Sequence, residues 1–392
     1  MQNEWNEERL QSLVRDKVPE DRFIDYKRDL PGDKEDEKRE FLNDVTAFAN
    51  TFGGTIIFGI EEEGGNATPN DLCGCTMPNP DESILRLENL VQSCVDPHLS
   101  SLRFVPIKLE SGKSVLVLVI PQSPAAPHMV KKGSPKFYMR GSAGKQPMDV
   151  HDIRAAFLAS ETVIERIRNF RLDRIAKLAS GGQPIPLHDN TAFIAHILPL
   201  ASFTRRINLD LKRIQAEANE YLKPLMSRSG QGPEHCLEGL AQVAHDRDRK
   251  ALSYTLLFRD GCIEAVDAYS MIEFQGKRFV REDHYGPELI QLLPRIFRLY
   301  EVFEIPFPCY LALSLVNVRG LCVSADRVLL LGSGLKLIDR DHLILPEKEL
   351  LDRPKSIDAL VRPVFDLVWN ACGLPQSWNF DTEGNWKPRG SY

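Results

Sequence analysis

Glu20 and Asp25 flank a short apolar stretch, and Asp25-Tyr26-Lys27 follows the pattern acid-x-Lys. Glu61 closes the apolar run TIIFGI, where a buried strand meets a loop. Carboxylates gathered at strand ends offer the hard oxygen ligands that hold Mg²⁺ or Mn²⁺. A metal there would stabilise charge on a phosphodiester and activate water, while Lys27 would hold the scissile phosphate. The same spacing also fits Asp and Lys on a solvated strand face, with Glu61–Glu63 only ending a strand. Spacing alone leaves both readings open.

A second constellation is basic. Lys131, Lys132, Lys136, Arg140 and Lys145 follow one another without an acidic residue, and Phe137 and Tyr138 are interleaved. Such a stretch can track a nucleic-acid backbone while bases stack on a ring, with Arg140 the first choice as a phosphate contact. The alternative is a core aromatic beside solvated hairpin lysines. Cys73, Cys75, Cys94 and His98 form Cys-x-Cys followed by Cys-x3-His, a set whose donor types suit Zn²⁺, although Cys94 also fits the buried face of a helix. His128 reads more readily as a structural histidine than as a general base, and Asp339–His342 as a turn. A P-loop needs Gly-x-x-x-x-Gly-Lys-[Ser/Thr]. Gly112-Lys113-Ser114 has the tail but Ile107 stands where the first Gly must be, and GSAGK at 141–145 is followed by Gln146. Walker-type ATP hydrolysis is rejected.

The elements that must position these residues follow from periodicity and turn chemistry. Residues 5–18 and 38–50 have helical spacing, with Phe41, Val45 and Phe48 on one face of the second. Residues 20–30 contain a short strand, 31–37 a polar loop and 55–60 a strand apolar on both faces, entered through the Gly53-Gly54 turn. A helix is expected over 81–95, strands over 102–109 and 114–121 joined by Glu110–Lys113, and a hairpin-like pair around 128–132 and 136–140. A helix starting near Met148, with Asp149 as N-cap, continues as a long charged helix over 161–178. SGGQPIP at 180–186 reads as a linker. Beyond it, helices are expected over 209–225, 288–303 and 357–372. Strands are expected over 252–258 and 262–269, joined by Arg259-Asp260-Gly261, and over 308–318. Val328–Gly332 is a further run of strand length.

Three segments carry a family resemblance: DYKRDLP at 25–31, DVTAFANTFGGTIIFGIE at 44–61, and Pro127-His128 with FYMRGS at 137–142. Together they resemble the Schlafen AlbA-like domain over residues ~8–157. The resemblance implies an α+β domain at 5–157; the element pattern beyond it reads as a connecting helix and linker at 158–182 and a second α+β domain at 183–392 that resembles no named family. It also implies a metal-dependent endoribonuclease that cuts structured RNA such as tRNA, in a stress or antiphage role. Glu20, Asp25 and Glu61 match the family's three metal-binding carboxylates, and Lys27 the lysine of its E-x-K motif. Glu62 takes the third place if the register shifts by one. Asp25 replaces the family's usual Glu, which shortens that ligand. Arg28 joins the basic stretch as an expected nucleic-acid contact. The family's two-lobed clamp implies a homodimer, or the C-terminal domain, as the second wall. The alternatives are a non-catalytic DNA- or RNA-binding regulator with a C-terminal sensor domain, and a nucleotide-binding signalling protein.

Composition bounds these readings. The 392 residues are 43% hydrophobic and 27% charged, which excludes wholesale disorder. With 49 basic and 55 acidic residues the net charge is −6, so any nucleic-acid contact must be a local patch. The charged start MQNEWNEERLQSL has no signal-peptide pattern, no apolar run has membrane-spanning length, and eight Cys make no secreted disulfide framework. A cytoplasmic protein without a membrane partner is expected.

Overall fold

The chain divides into two units, each with its own sheets. The computed structural model describes residues 5–63, 67–99, 102–132, 135–141, 144–204, 207, 209–226, 232–274, 277–323 and 336–387. The strand-length run at 328–332, and Ser142 of the FYMRGS segment, lie outside the described residues. The first unit is Met1–Ile164 and the second Glu165–Tyr392. Both are mixed α+β.

The first unit runs α1 (Glu7–Arg15), β1 (Ile24–Lys27), α2 (Glu35–Ala49), β2 (Gly54–Phe58), β3 (Glu61–Glu62), β4 (Pro69–Asp71), α3 (Pro80–Cys94), β5 (Val95–Asp96), β6 (Arg103–Lys108), β7 (Ser114–Ile120), β8 (Met129–Val130), β9 (Lys136–Gly141), β10 (Gly144–Pro147) and the first half of α4 (Val150–Ser180). One sheet has the order β1-β2-β7-β6, with β1 parallel to β2 and the other pairs antiparallel. A second has the order β10-β9-β8-β5. The two-residue period of β2 and β7 sends Ile56, Phe58, Leu116 and Leu118 toward Phe41, Val45 and Phe48 of α2. Ile57, Val115 and Val117 go the other way, toward Leu10 of α1. Helix α2 starts at Glu35, three residues before the expected Lys38. Glu35, Asp36 and Glu37 fill its first turn, where carboxylates complement the helix dipole. The expected 55–60 strand ends at Phe58, because Gly59 turns at φ +109° and both Gly59 N and Ile60 N donate to Lys27 O. Glu61 and Glu62 therefore belong to a separate short strand pairing with β4.

The second unit begins in the latter half of α4. It continues through β11 (Ala192–Pro199), α5 (Ala201–Thr204), α6 (Leu211–Tyr221), β12 (Glu234–His235), β13 (Gly239–His245), β14 (Ala251–Phe258), β15 (Ile263–Asp267), β16 (Met271–Phe274), β17 (Lys277–Val280), α7 (Glu282–Val302), β18 (Cys309–Val316), β19 (Cys322–Val323), β20 (Leu343–Ile344), β21 (Lys348–Leu350) and α8 (Ile357–Asn370). Its main sheet has eight strands in the order β12-β13-β14-β15-β11-β18-β20, with β21 also on β18. The expected strands β14, β15 and β18 form. Central β11 and β13 are absent from the sequence reading, because a continuous apolar run such as AFIAHILP has no two-residue alternation to announce it. Helix α7 starts at Glu282, six residues before the expected Glu288, and runs through Pro287 and Pro294. Ser180 ends α4, and the expected linker packs into this unit, with Gln183, Ile185 and Leu187 buried. Among the described residues no helix is long and apolar enough to cross a membrane.

One face of this sheet is apolar against α6, α7 and α8. The other carries a buried polar cluster under α4. Glu264 accepts from Arg174 Nε and Nη2 (2.8 and 2.7 Å) and from Tyr254 Oη (2.8 Å), and lies 3.0 Å from His196 Nε2. Burial pushes the Glu264 carboxyl up, but Arg174 and His196 outweigh it and hold it at about 2. Breaking one side of a buried pair leaves the other charge uncompensated. Glu264→Gln is therefore expected to destabilise the unit by about 3–5 kcal/mol in urea unfolding followed by circular dichroism.

Candidate functional site

The C-terminus of α2 organises the site. Asn50 Nδ2 donates to the carbonyls of His128 and Tyr138 (2.9 Å each), and Asn50 Oδ1 accepts from His128 N (2.6 Å). Thr51 Oγ1 accepts from Arg140 N (2.9 Å). The Ala-Asn-Thr segment thus ties β8 and β9 to the helix end. Gly53 has φ +71°, and a Cβ on it would sit 2.6 Å from Gln122 N. A Cβ on Gly54 would meet the Phe48 ring at 2.3 Å. The glycine pair accordingly serves the tight helix-to-strand turn.

Arg140, delivered by β9, points inward. Its guanidinium lies 4.4 Å over the Phe48 ring, and Nη2 is 2.8 Å from Asp25 Oδ1. The same Nη2 donates to the carbonyls of Asp21 (3.3 Å) and Ile24 (3.4 Å). The other Asp25 oxygen pairs with Lys27 Nζ at 2.7 Å. Asp25 is only 3% exposed, so its charge is spent on two cations inside the fold. Burial pulls the Lys27 ammonium down, but the carboxylates of Asp25, Asp44 and Glu20 outweigh it and hold its pKa above the usual value. Asp44, from the buried stretch of α2, pairs with Lys145 Nζ at 2.9 Å. Burial is the main cause holding the Asp44 carboxyl above the usual range, against the pull of Lys145. Asp44 is absent from the sequence reading. Its signal was a carboxylate inside the otherwise core-like run Phe41–Ala49.

The three expected carboxylates do not share one surroundings. Glu20 stands beside Asp25, with its Oε1 accepting from Tyr26 N at 2.6 Å. Its carboxyl is also within hydrogen-bonding reach of Glu62. Glu61 instead pairs with Arg28 at 3.0 Å, since neighbouring residues of a strand point apart. Burial, then the charge of Asp25 and the facing Glu62, push the Glu20 carboxyl up to about 8. Among the described residues no group of three or more His, Cys, Asp or Glu is placed to hold a metal ion. A three-carboxylate cage is therefore not assembled. The Glu20 and Glu62 carboxyls lie within reach of each other, and carboxylate oxygens are the donors a hard cation takes.

The basic stretch is largely neutralised in place. Lys132 pairs with Glu35 (2.8 Å), and Lys145 with Glu40 as well as Asp44. Arg140 is 5% exposed and its donors are turned inward, away from any phosphate outside. Lys131 and Lys136 are exposed, with no ion-pair partner among the described residues. Phe137 is half-buried, edge-on to Phe157 at 6.2 Å. The Cys73, Cys75, Cys94 and His98 set is not brought together as a metal site: Cys73 Sγ and Cys75 Sγ donate to the carbonyls of Gly59 and Arg28, and His98 is exposed. His128 is fully buried with Nδ1 2.7 Å from Pro97 O, and burial lowers its pKa. It is a structural histidine.

An α+β domain with a layered sheet, an Asn-Thr helix end and a carboxylate–lysine cluster is thus defined within the first unit. Residues 20–149 are a Schlafen domain, matching the family described as Schlafen, AlbA_2. Among solved structures, the DIP2311 protein from Corynebacterium diphtheriae is similar, at 18% identity and a TM-score of 0.24 over 36% of this chain. The match spans 27% of that protein's length. The N-terminal domain of a RecG-related protein from Nitrosomonas europaea is similar at 22% identity and a TM-score of 0.25, over 31% of this chain and 80% of that one. No curated protein matches the chain.

The raised Glu20 pKa has a thermodynamic consequence. Between the usual glutamate range and about pH 8 the folded protein keeps a proton that the unfolded chain has released. The associated stability is full below that range and is lost as pH rises through about 8. The urea midpoint of the wild type is expected to fall over this window more than that of Glu20→Gln. Equal slopes for the two proteins would contradict the arrangement.

Proposed function

We propose that the domain at residues 20–149 acts on nucleic acid, structured RNA such as tRNA in particular, and cuts its backbone with the help of Mg²⁺ or Mn²⁺. The observation that carries this reading is the Glu20–Glu62 carboxyl pair close to Lys27, where burial and the neighbouring carboxylates make Glu20 hold a proton that a bound cation would displace. Mg²⁺ is commonly held by one or two carboxylates together with substrate phosphates, so a pair suffices. When bound, the ion supplies Lewis-acid stabilisation of phosphate charge and a more acidic water. Glu20 and Glu62 are the ligands in this reading. Asp25 positions Lys27, whose ammonium stays charged and meets the scissile phosphate. Exposed Arg28, Lys131 and Lys136 carry flanking phosphates. The family match to a Schlafen AlbA_2 domain supports a role on nucleic acid.

A second reading, binding without cleavage, is favoured by one observation: Asp25 is already held by Lys27 and Arg140. One assay separates the two. Total tRNA and plasmid DNA are incubated with the full chain in Mn²⁺ or in EDTA and resolved on a gel. Metal-dependent cleavage is expected. Glu20→Gln and Glu62→Gln should each reduce it by more than ~10-fold, while Glu61→Gln should leave it within about twofold. Salt-dependent binding without cleavage in Mn²⁺ would select the second reading.

A further inference from the structure

Phe23 is 41% exposed, and with Phe157 it is one of two strongly exposed phenylalanines among the described residues. It stands between Glu20 and Asp25 in sequence, one residue before β1. Its ring meets that of half-buried Phe52 at 6.3 Å and 52°. The backbone beneath it is tied down at both ends. Phe23 N is held by Asp21 Oδ1 (2.6 Å), and Phe23 O accepts from Thr55 N (2.8 Å). The backbone of Gly54 also lies close beneath it: a Cβ on Gly54 would sit 2.7 Å from Phe23 O. On the same segment, Arg22 is exposed with no ion-pair partner among the described residues, and Lys27 and Arg28 follow, paired with Asp25 and Glu61.

We infer that Phe23, backed by Phe52, is a stacking shelf for one unpaired nucleobase next to the Glu20–Glu62 site, so that the preferred substrate is a single-stranded loop or end. The inference rests on the nucleic-acid reading above. Two observations select a base over a protein partner. The exposed apolar area is one ring with Val18 nearby in sequence, far short of the ~800 Å² per partner of a specific protein interface. A nucleobase needs only one ring face, and cations beside it suit the phosphates that flank a base. The fixed backbone also means that little is ordered on binding, which favours a preformed platform.

The test uses the full chain with a fluorescent 2-aminopurine placed in an unpaired RNA and in a duplex of equal length, in EDTA so that nothing is cut. Phe23→Leu keeps the apolar contact with Phe52 and removes the ring face, and Phe23→Trp restores one. Stacking quenches 2-aminopurine, so the shelf predicts quenching by the wild type on the unpaired RNA. Phe23→Leu should lose that quenching and bind the unpaired RNA about 5- to 100-fold more weakly, with Phe23→Trp returning both. Equal binding and quenching by the wild type and Phe23→Leu would overturn the shelf while leaving the nucleic-acid reading intact. No binding of either RNA by the wild type would overturn both. Thermal unfolding of each variant confirms that the fold is retained.

Discussion

The Asp25–Arg140 ion pair is the interaction on which the first unit's site depends. Both side chains are almost wholly buried, and they join β1, the edge of one sheet, to β9 of another at 2.8 Å. A buried ion pair needs good geometry and satisfied donors to offset its desolvation. Here the second Asp25 oxygen has Lys27, and Arg140 Nη2 has two carbonyls with the guanidinium over the Phe48 ring, while the buried Arg140 Nε has no partner. The pair also specifies register. Asp25 can meet Arg140 only if Asn50 and Thr51 hold β8 and β9 where they are.

That constraint changes the meaning of the motif residues. Arg140 lies in a basic stretch with aromatics, a pattern that suits a phosphate contact on a surface. In the fold it is an internal clamp, and Lys132 and Lys145 are neutralised by Glu35, Glu40 and Asp44 of α2. Of these cations, Lys131 and Lys136, with Arg22, are exposed without an ion-pair partner among the described residues, whereas exposed Arg28 pairs with Glu61. Asp25 likewise is held between two cations inside the fold. Glu20 and Glu62 meet each other rather than a basic side chain.

The second unit uses the same physics for a different end. Its sheet faces apolar helices on one side and buries Arg174, Glu264, His196 and Tyr254 under α4 on the other. Each member of the cluster has a partner there, which matches a structural clasp that fixes the helix on the sheet.

Sequence alone determined the domain in residues 20–149, its principal helices, and the hairpins marked by Glu110–Lys113 and Arg259-Asp260-Gly261. These are local matters: apolar spacing and turn chemistry act within a few residues. It also picked out Glu20, Asp25 and Lys27, which share one short segment. Only the tertiary structure showed that Glu62 lies by Glu20 while Glu61 pairs with Arg28, because the turn at Gly59 and the pairing of β3 with β4 set their directions. Only it showed Asp44 in the cluster and β11 at the centre of its sheet. A strand buried on both faces has no alternation to read, and a charge's partner across more than 100 residues is set by packing that spacing cannot express.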